Sequence, residues 1–335
     1  MRTKFMSLVI LVVSVVFVRP QLSNGDEPRN LPPAHLAEML NWLPPSSETL
    51  VVVNGPFELT EQFNEPEQYG TSVRSLCQGL WLPEKLRAGM TGHKVLIAVE
   101  GSRNFRMLGG LGLMSYDGCH LLRFEAGTDA ALQQALKASA NEVDETLTVL
   151  GQEVLLVREK AEGVTWTIYI ARLAPEVLLW TTDRESLETA MVRQRTAKKT
   201  GVVRAFPEDL PEWKHVDFAA PVWGLRHFSR DHINTDITTP FAGRRSDSIA
   251  DPHGIGFTFE VDKTRQHIRL RYLTGAEEPV KLVSSVWINP PENLTPNINL
   301  AAPGIVDVTA TVGDGTSPGI FEFVLLLFLG HGIAV

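Results

Sequence analysis

The chain has 335 residues, 44% of them hydrophobic and 21% charged, and its 31 Lys and Arg against 39 Asp and Glu give a formal net charge of −8. That composition supports an ordinary globular core and excludes dominant disorder, collagen, coiled coils and disulfide-dense scaffolds. The length suits roughly two average domains or one large one.

Residues 1–25 read as a signal peptide: Arg2 and Lys4 make a basic start, Phe5 to Val18 is a mainly apolar run, and the polar stretch Gln21 to Gly25 follows. A run of 14 residues reaches about 21 Å as a helix, short of a hydrocarbon core of about 30 Å, so cleavage near Gly25 is expected rather than an anchor. The mature chain is then a periplasmic or extracellular protein with no membrane span. Losing residues 1–25 leaves 28 basic against 39 acidic residues, or −11, the wrong sign for a nucleic-acid partner. The one basic cluster, Arg193, Arg195, Lys198, Lys199 and Arg204, reads as a solvated helix end. In an oxidising compartment Cys77 and Cys119 form either a disulfide or two buried thiols; their spacing does not choose.

Residues 26–47 read as a Pro-rich linker and a short amphipathic helix with Leu36, Met39 and Leu40 on one face, ended by Pro44-Pro45. Leu50 to Val53 and Lys94 to Val99 are buried-strand runs, and Val73, Leu76, Cys77 and Leu80 share a helical face between them. Gly109, Gly110 and Gly112 interrupt regular strand. Leu121 to Phe124 predicts a strand, followed by a helix entered at Thr128 or Asp129 with Leu132, Ala135 and Leu136 inward. Gly151-Gln152 fits the two-residue loop of a type II′ hairpin. Val164, Trp166, Ile168 and Ile170 then alternate with polar residues, Val177 to Trp180 returns as a partner strand, and Thr182 to Glu185 reads as a capping box before a helix burying Leu187, Ala190 and Met191. A similar order recurs with Phe257, Phe259 and Val261, then Ile268, Leu270 and Tyr272, then Val280, Val283 and Val286 at helical spacing. The expected fold is therefore α+β: two related halves, 48–195 and 202–335, of mainly antiparallel sheet with helices packed on one face. The apolar run Phe321 to Val335 is too short to span a membrane and reads as core.

Gly315-Thr316-Ser317-Pro318-Gly319 fits a nucleophile elbow by spelling, but Pro318 has no N–H to offer an oxyanion and no Asp follows Ser317. The glycines at 313, 315 and 319 lie too near the end of the sequence for a dinucleotide-binding unit, and Walker A, HExxH, EF-hand and paired CxxC motifs are absent. Trp213, Trp223, Trp287, Phe218 and Phe228 read as core packing rather than a stacking platform. Residues 229–254 hold few apolar positions and form a long polar loop, the kind that is functional or disordered. Its candidate binding residues are His227, Arg230, Asp231, Arg244, Arg245 and His253, and a divalent metal would fall to His227, Asp231 and His253.

The phrases WLPPSSETLVVVNGPF (42–57), APVWGLRHF (220–228), DPHGIGFTF (251–259) and FLGHGIAV (328–335) resemble uncharacterised exported proteins of planctomycete-type bacteria, which carry domains of unknown function. The resemblance implies an exported protein and carries no catalytic residue. The expected role is non-catalytic, binding or structural, without a cofactor. It would act through the surface loop or a cleft between the halves on a protein or cell-surface partner. The alternatives are a metal-dependent hydrolase-like enzyme and a solute-binding protein.

Overall fold

Leu50 to Val53 and Val177 to Thr181 are apolar at nearly every position, so each must be covered on both sides, whereas β-strands that face water on one side alternate. The structure, a computed structural model, places both runs inside one sheet; it describes residues 32–59, 82–108, 113–161, 164–196, 204–227, 252–261, 266–274, 277–286 and 295–312. Residues Leu31–Val335 make one compact unit. Its described elements are α1 (Ala34–Leu40), β1 (Thr49–Glu58), α2 (Glu84–Gly89), β2 (Lys94–Leu108), β3 (Leu113–Phe124), α3 (Asp129–Ser139), β4 (Glu145–Val149), β5 (Gln152–Ala161), β6 (Val164–Ala174), β7 (Val177–Thr181) and α4 (Arg184–Thr196). A 3₁₀ helix (Pro211–His215), β8 (Val222–His227), β9 (Pro252–Val261), β10 (Gln266–Thr274), α5 (Pro279–Val286), β11 (Asn297–Ala302) and β12 (Ile305–Val312) complete it.

The strands form a 12-stranded sheet in the order β11-β12-β10-β9-β8-β1-β2-β3-β7-β6-β5-β4, antiparallel at every pairing. The fold is thus α+β with an antiparallel sheet. The strands of 48–195 and of 202–335 occupy adjacent blocks of that sheet, joined by β1 to β8 from Thr49↔Arg226 to Val53↔Val222.

Helices cover both faces, not the single face expected from the sequence. Val51, Val53, Leu122, Trp180, Ile268, Leu270, Val306 and Val308 share one core with Leu86 of α2, Leu132 and Ala135 of α3 and Val283 of α5. Leu50, Val52, Ile97, Leu121, Leu179, Trp223 and Leu225 share the other with Leu36 and Met39 of α1, Leu187 and Met191 of α4 and Trp213 of the 3₁₀ helix. Neighbouring residues of β1 fall in different cores, which is what a period of two requires of a strand buried on both sides.

Two local expectations shift by one residue. The β4–β5 loop is Leu150-Gly151, closed by Val149↔Gln152, with φ of 49° and 75° at the two positions. Positive φ at both is the type I′ pattern, so Gly151 takes the second loop position rather than the first of a II′ turn. Asp183, not Thr182, caps α4: Ser186 N–H donates to its Oδ2 at 2.7 Å and Glu185 N–H to its Oδ1 at 3.3 Å. No Glu stands at the third helical position to close a box. Asp183→Ala is expected to cost about 0.5–2 kcal/mol, measured by urea unfolding; an unchanged midpoint would show that the cap is not holding the helix.

The helix expected around Val73 to Leu80, the glycines 109–112 and the 321–335 run lie outside the described residues. No helix among the described residues is long and apolar enough to cross a membrane.

Candidate functional site

The second core stops at β8: among the described residues it takes nothing from β9 to β12. Along the middle of β10 and β12 the residues that alternate with the first core are polar. Arg269 and Arg271 of β10 stand beside Thr309 and Asp307 of β12, which stand beside Asn297 and Asn299 of β11. Following the register inward, Asp307, Arg271 and Gly256 lead to Leu225, and Thr309, Arg269 and Thr258 lead to Trp223. One sheet face therefore changes from apolar to cationic between β8 and β10.

The 3₁₀ helix sits at that change. Leu210 and Pro211 start it, and Trp213 anchors it, 2% exposed. The Trp213 ring centroid lies 6.0 Å from that of Phe218 and 6.4 Å from that of Trp223, and its Nε1–H donates to Pro207 O at 2.8 Å. These aromatics are core, as the sequence implied. Lys214, His215, Val216 and Asp217 wall a cleft of about 440 Å³ whose floor is Ile268, Arg269 and Arg271 with Thr309, Ala310 and Thr311. The cleft lies wholly within residues 202–335.

Asp307 organises the floor. Its carboxylate takes Arg269 Nε at 3.0 Å and Nη2 at 2.8 Å, and Arg271 Nε at 3.3 Å. Its pKa is lowered: burial opposes ionisation, and the two guanidiniums outweigh it. His215 is held below the ordinary imidazole value mainly by burial, with the positive charges of Arg271 and Lys214 opposed by the carboxylates of Glu212 and Asp307.

The other end of the 3₁₀ helix meets the residue singled out by sequence. Glu212 is fully buried, and His227 Nδ1–H donates to its Oε1 at 2.9 Å. His227 is pushed above its usual value by that hydrogen bond and by the charges of Glu212, Glu48 and Asp209, against a smaller opposing effect of burial. Beside it, burial lowers Arg226 to about 10, partly offset by Glu48, so the guanidinium stays charged at neutral pH. Sequence reasoning missed Glu212, because Pro-Glu-Trp-Lys-His carries no period that would pair it with a strand 15 residues on. His227 stands opposite Gly254 in the β8–β9 register, so residues 252–254 are strand rather than loop. His253 is placed in β9 by its backbone alone, and Arg230, Asp231, Arg244 and Arg245 lie outside the described residues. Among the described residues no group of three or more His, Cys, Asp or Glu gathers as a metal site.

Cys119 is a buried free thiol with its pKa raised to about 12 by burial and by Asp183, and Cys77 lies outside the described residues. Arg193 is buried rather than solvated and donates from Nε to Asn41 O at 2.8 Å, and Arg195 donates to Leu150 O at 2.6 Å. Arg193 ties α4 to the residue after α1, whereas Arg195 stays at the exposed surface, as the sequence implied.

A second polar group is sealed in the first core. Glu100, His120 and Trp180 are register partners on β2, β3 and β7, all at most 1% exposed. The His120 and Trp180 rings stack at 3.4 Å between centroids, and Glu100 Oε2 lies 3.7 Å from His120 Nδ1. Burial raises the Glu100 carboxyl to about 8 and holds His120 well below the imidazole range, so both are uncharged at neutral pH.

No protein-family model matches the chain, and no curated protein matches it. Among solved structures, the Treponema protein TP0453 resembles it in three crystal forms. Form I is 8% identical with a TM-score of 0.45, covering 86% of this chain and 97% of that one. Form III is 10% identical with a TM-score of 0.44 over 85% and 96%, and form IV 10% identical with 0.42 over 85% and 95%.

Proposed function

We propose that the chain is an exported, non-catalytic binding protein that takes its ligand in the cleft between the 3₁₀ helix and β10–β12. The observation that carries this reading is the bare polar face: seven strands, β1 to β3 and β5 to β8, are buried on both sides, and beyond β8 the second covering stops over a walled floor of cations and hydroxyls. A concave surface with a few convergent polar groups is the usual form of a ligand site. Export rests on the signal-peptide layout of residues 1–25 and on the resemblance to exported planctomycete-type proteins. β8 ends at His227 and β9 begins at Pro252, and the polar stretch that joins them in the sequence is the second contact we assign to a protein or cell-surface partner.

The test is a thermal-shift screen of small metabolites against the mature protein and Thr309→Trp, which fills the cleft from a half-buried strand position. A ligand at 100 times its Kd stabilises by about 2.7 kcal/mol, and this gain is expected to vanish in Thr309→Trp while the unliganded melting temperature is kept. A screen without a saturable hit, or hits that survive Thr309→Trp, would overturn the cleft.

One observation favours the metal-dependent hydrolase-like reading. A buried carboxylate on Nδ1 leaves Nε2 as the free nitrogen of His227, the arrangement that supports metal-bound histidines. Stoichiometric zinc or manganese in purified protein, lost in His227→Ala, would put that reading first.

A further inference from the structure

We infer that the cleft binds an oxyanion, the carboxylate or phosphate of a small molecule, and that Arg271 is the residue that grips it; the inference rests on the cleft reading above.

Lys214, Arg269 and Arg271 face Asp217 at the cleft, with Asp307 beneath them. Three cations against two carboxylates leave an excess of positive charge in a chain whose formal net charge is −8. The cleft thus opposes the sign of the whole molecule.

Asp307 engages Arg269 in a fork, through Nε and Nη2, but takes only Nε of Arg271. Among the described residues the terminal nitrogens of Arg271 are therefore left to the cleft. The Arg271 side chain is 27% exposed against 48% for Arg269, so it is the more enclosed of the two and the better desolvated donor. A guanidinium braced at Nε by a carboxylate and open at its terminal edge is pre-oriented for a planar or tetrahedral oxyanion. Register places Thr309, the partner of Arg269, one diagonal step from Arg271, and Thr311, the partner of His267, further along the same face of β12. They suit the hydroxyl or ester oxygens of a ligand body, and a volume of about 440 Å³ holds a molecule larger than a lone ion.

Calorimetric titration of the full mature chain with glucose 6-phosphate, citrate, inorganic phosphate and uncharged glucose tests this. Glucose 6-phosphate or citrate is expected to saturate, glucose is not, and the stronger of the two names the oxyanion. Arg271→Gln should weaken binding by roughly 10- to 100-fold, the loss of a charge-assisted hydrogen-bond pair, and Arg271→Lys, which keeps charge without the fork, should fall between. Arg158→Gln, an exposed arginine paired with Glu145 on the far edge of the sheet, should leave binding unchanged. Glucose binding as tightly as glucose 6-phosphate, with both lost in Thr309→Trp, would keep the cleft and overturn the anion. Anion binding that ignores Arg271→Gln, in a variant that melts like the wild type, would mean an adventitious ion only. No heat with any anion would overturn the inference outright, and the metabolite screen would then decide the cleft by itself.

Discussion

Trp213→Ala is expected to lower the unfolding free energy by about 3–5 kcal/mol, the cost of emptying a large aromatic site that collapses only partly. The residue closes the second core where it ends. Its ring meets Phe218 and Trp223, and its indole N–H satisfies Pro207 O. A 3₁₀ helix of five residues has little stability of its own, so it stays on the sheet because Trp213 is buried. Losing that anchor should also release Glu212 from His227 and remove the wall of the cleft, so ligand-induced stabilisation should disappear along with the midpoint shift. Trp213→Phe keeps most of the buried area but abandons the hydrogen bond, and should cost less, about 1–2 kcal/mol. Urea unfolding measures both. A Trp213→Ala protein with an unchanged midpoint would show that the 3₁₀ helix is held by something other than its tryptophan.

The second large effect is in pH. Glu100 keeps its proton in the folded state up to about 8, whereas the unfolded chain releases it near 4.5. As pH rises between those values the unfolded state sheds the proton and gains, so stability falls by at most about 1.4 kcal/mol per unit. His120 acts in the opposite sense: neutral when folded, it is protonated when unfolded below 6.5, so its contribution is lost as pH falls through that value. Between 4.5 and 6.5 the two slopes oppose each other, and from 6.5 to 8 Glu100 acts without that opposition. Glu100→Gln has the same shape and no proton to lose. Its stability relative to the wild type is therefore expected to climb by at most about 2 kcal/mol between pH 6.5 and 8. Parallel curves for the two proteins across that window would mean that Glu100 titrates in the folded state as it does in water.

The strands and helices were legible because their signals are local. Alternation at Ile268, Leu270 and Tyr272, and helical spacing at Leu132 and Ala135 and at Leu187, Ala190 and Met191, place those residues in the core where they are found. Even the double burial of the sheet was present in the unbroken run Leu50 to Val53, although a run of four apolar residues does not say what covers each side. Cap and turn positions were legible only to within one residue, since Thr182 and Asp183 are both good caps and Gly151 suits either loop position.

What the sequence by itself determined is which residues are inside, in which element, and that the fold is α+β. What only the tertiary structure decided is which of them meet. Glu100, His120 and Trp180 adjoin because three strands from separate parts of the chain align in register, and pairing over that distance leaves no trace in a local period. Glu212 finds His227, and Lys214 faces Arg271, because a buried tryptophan pins a short 3₁₀ helix across the last covered strands. Arg269, Arg271 and Thr309 become the floor of a cleft only because that helix walls them. A cleft is a relation between distant segments, and the burial energy that fixes such relations belongs to the assembled core rather than to any stretch of sequence.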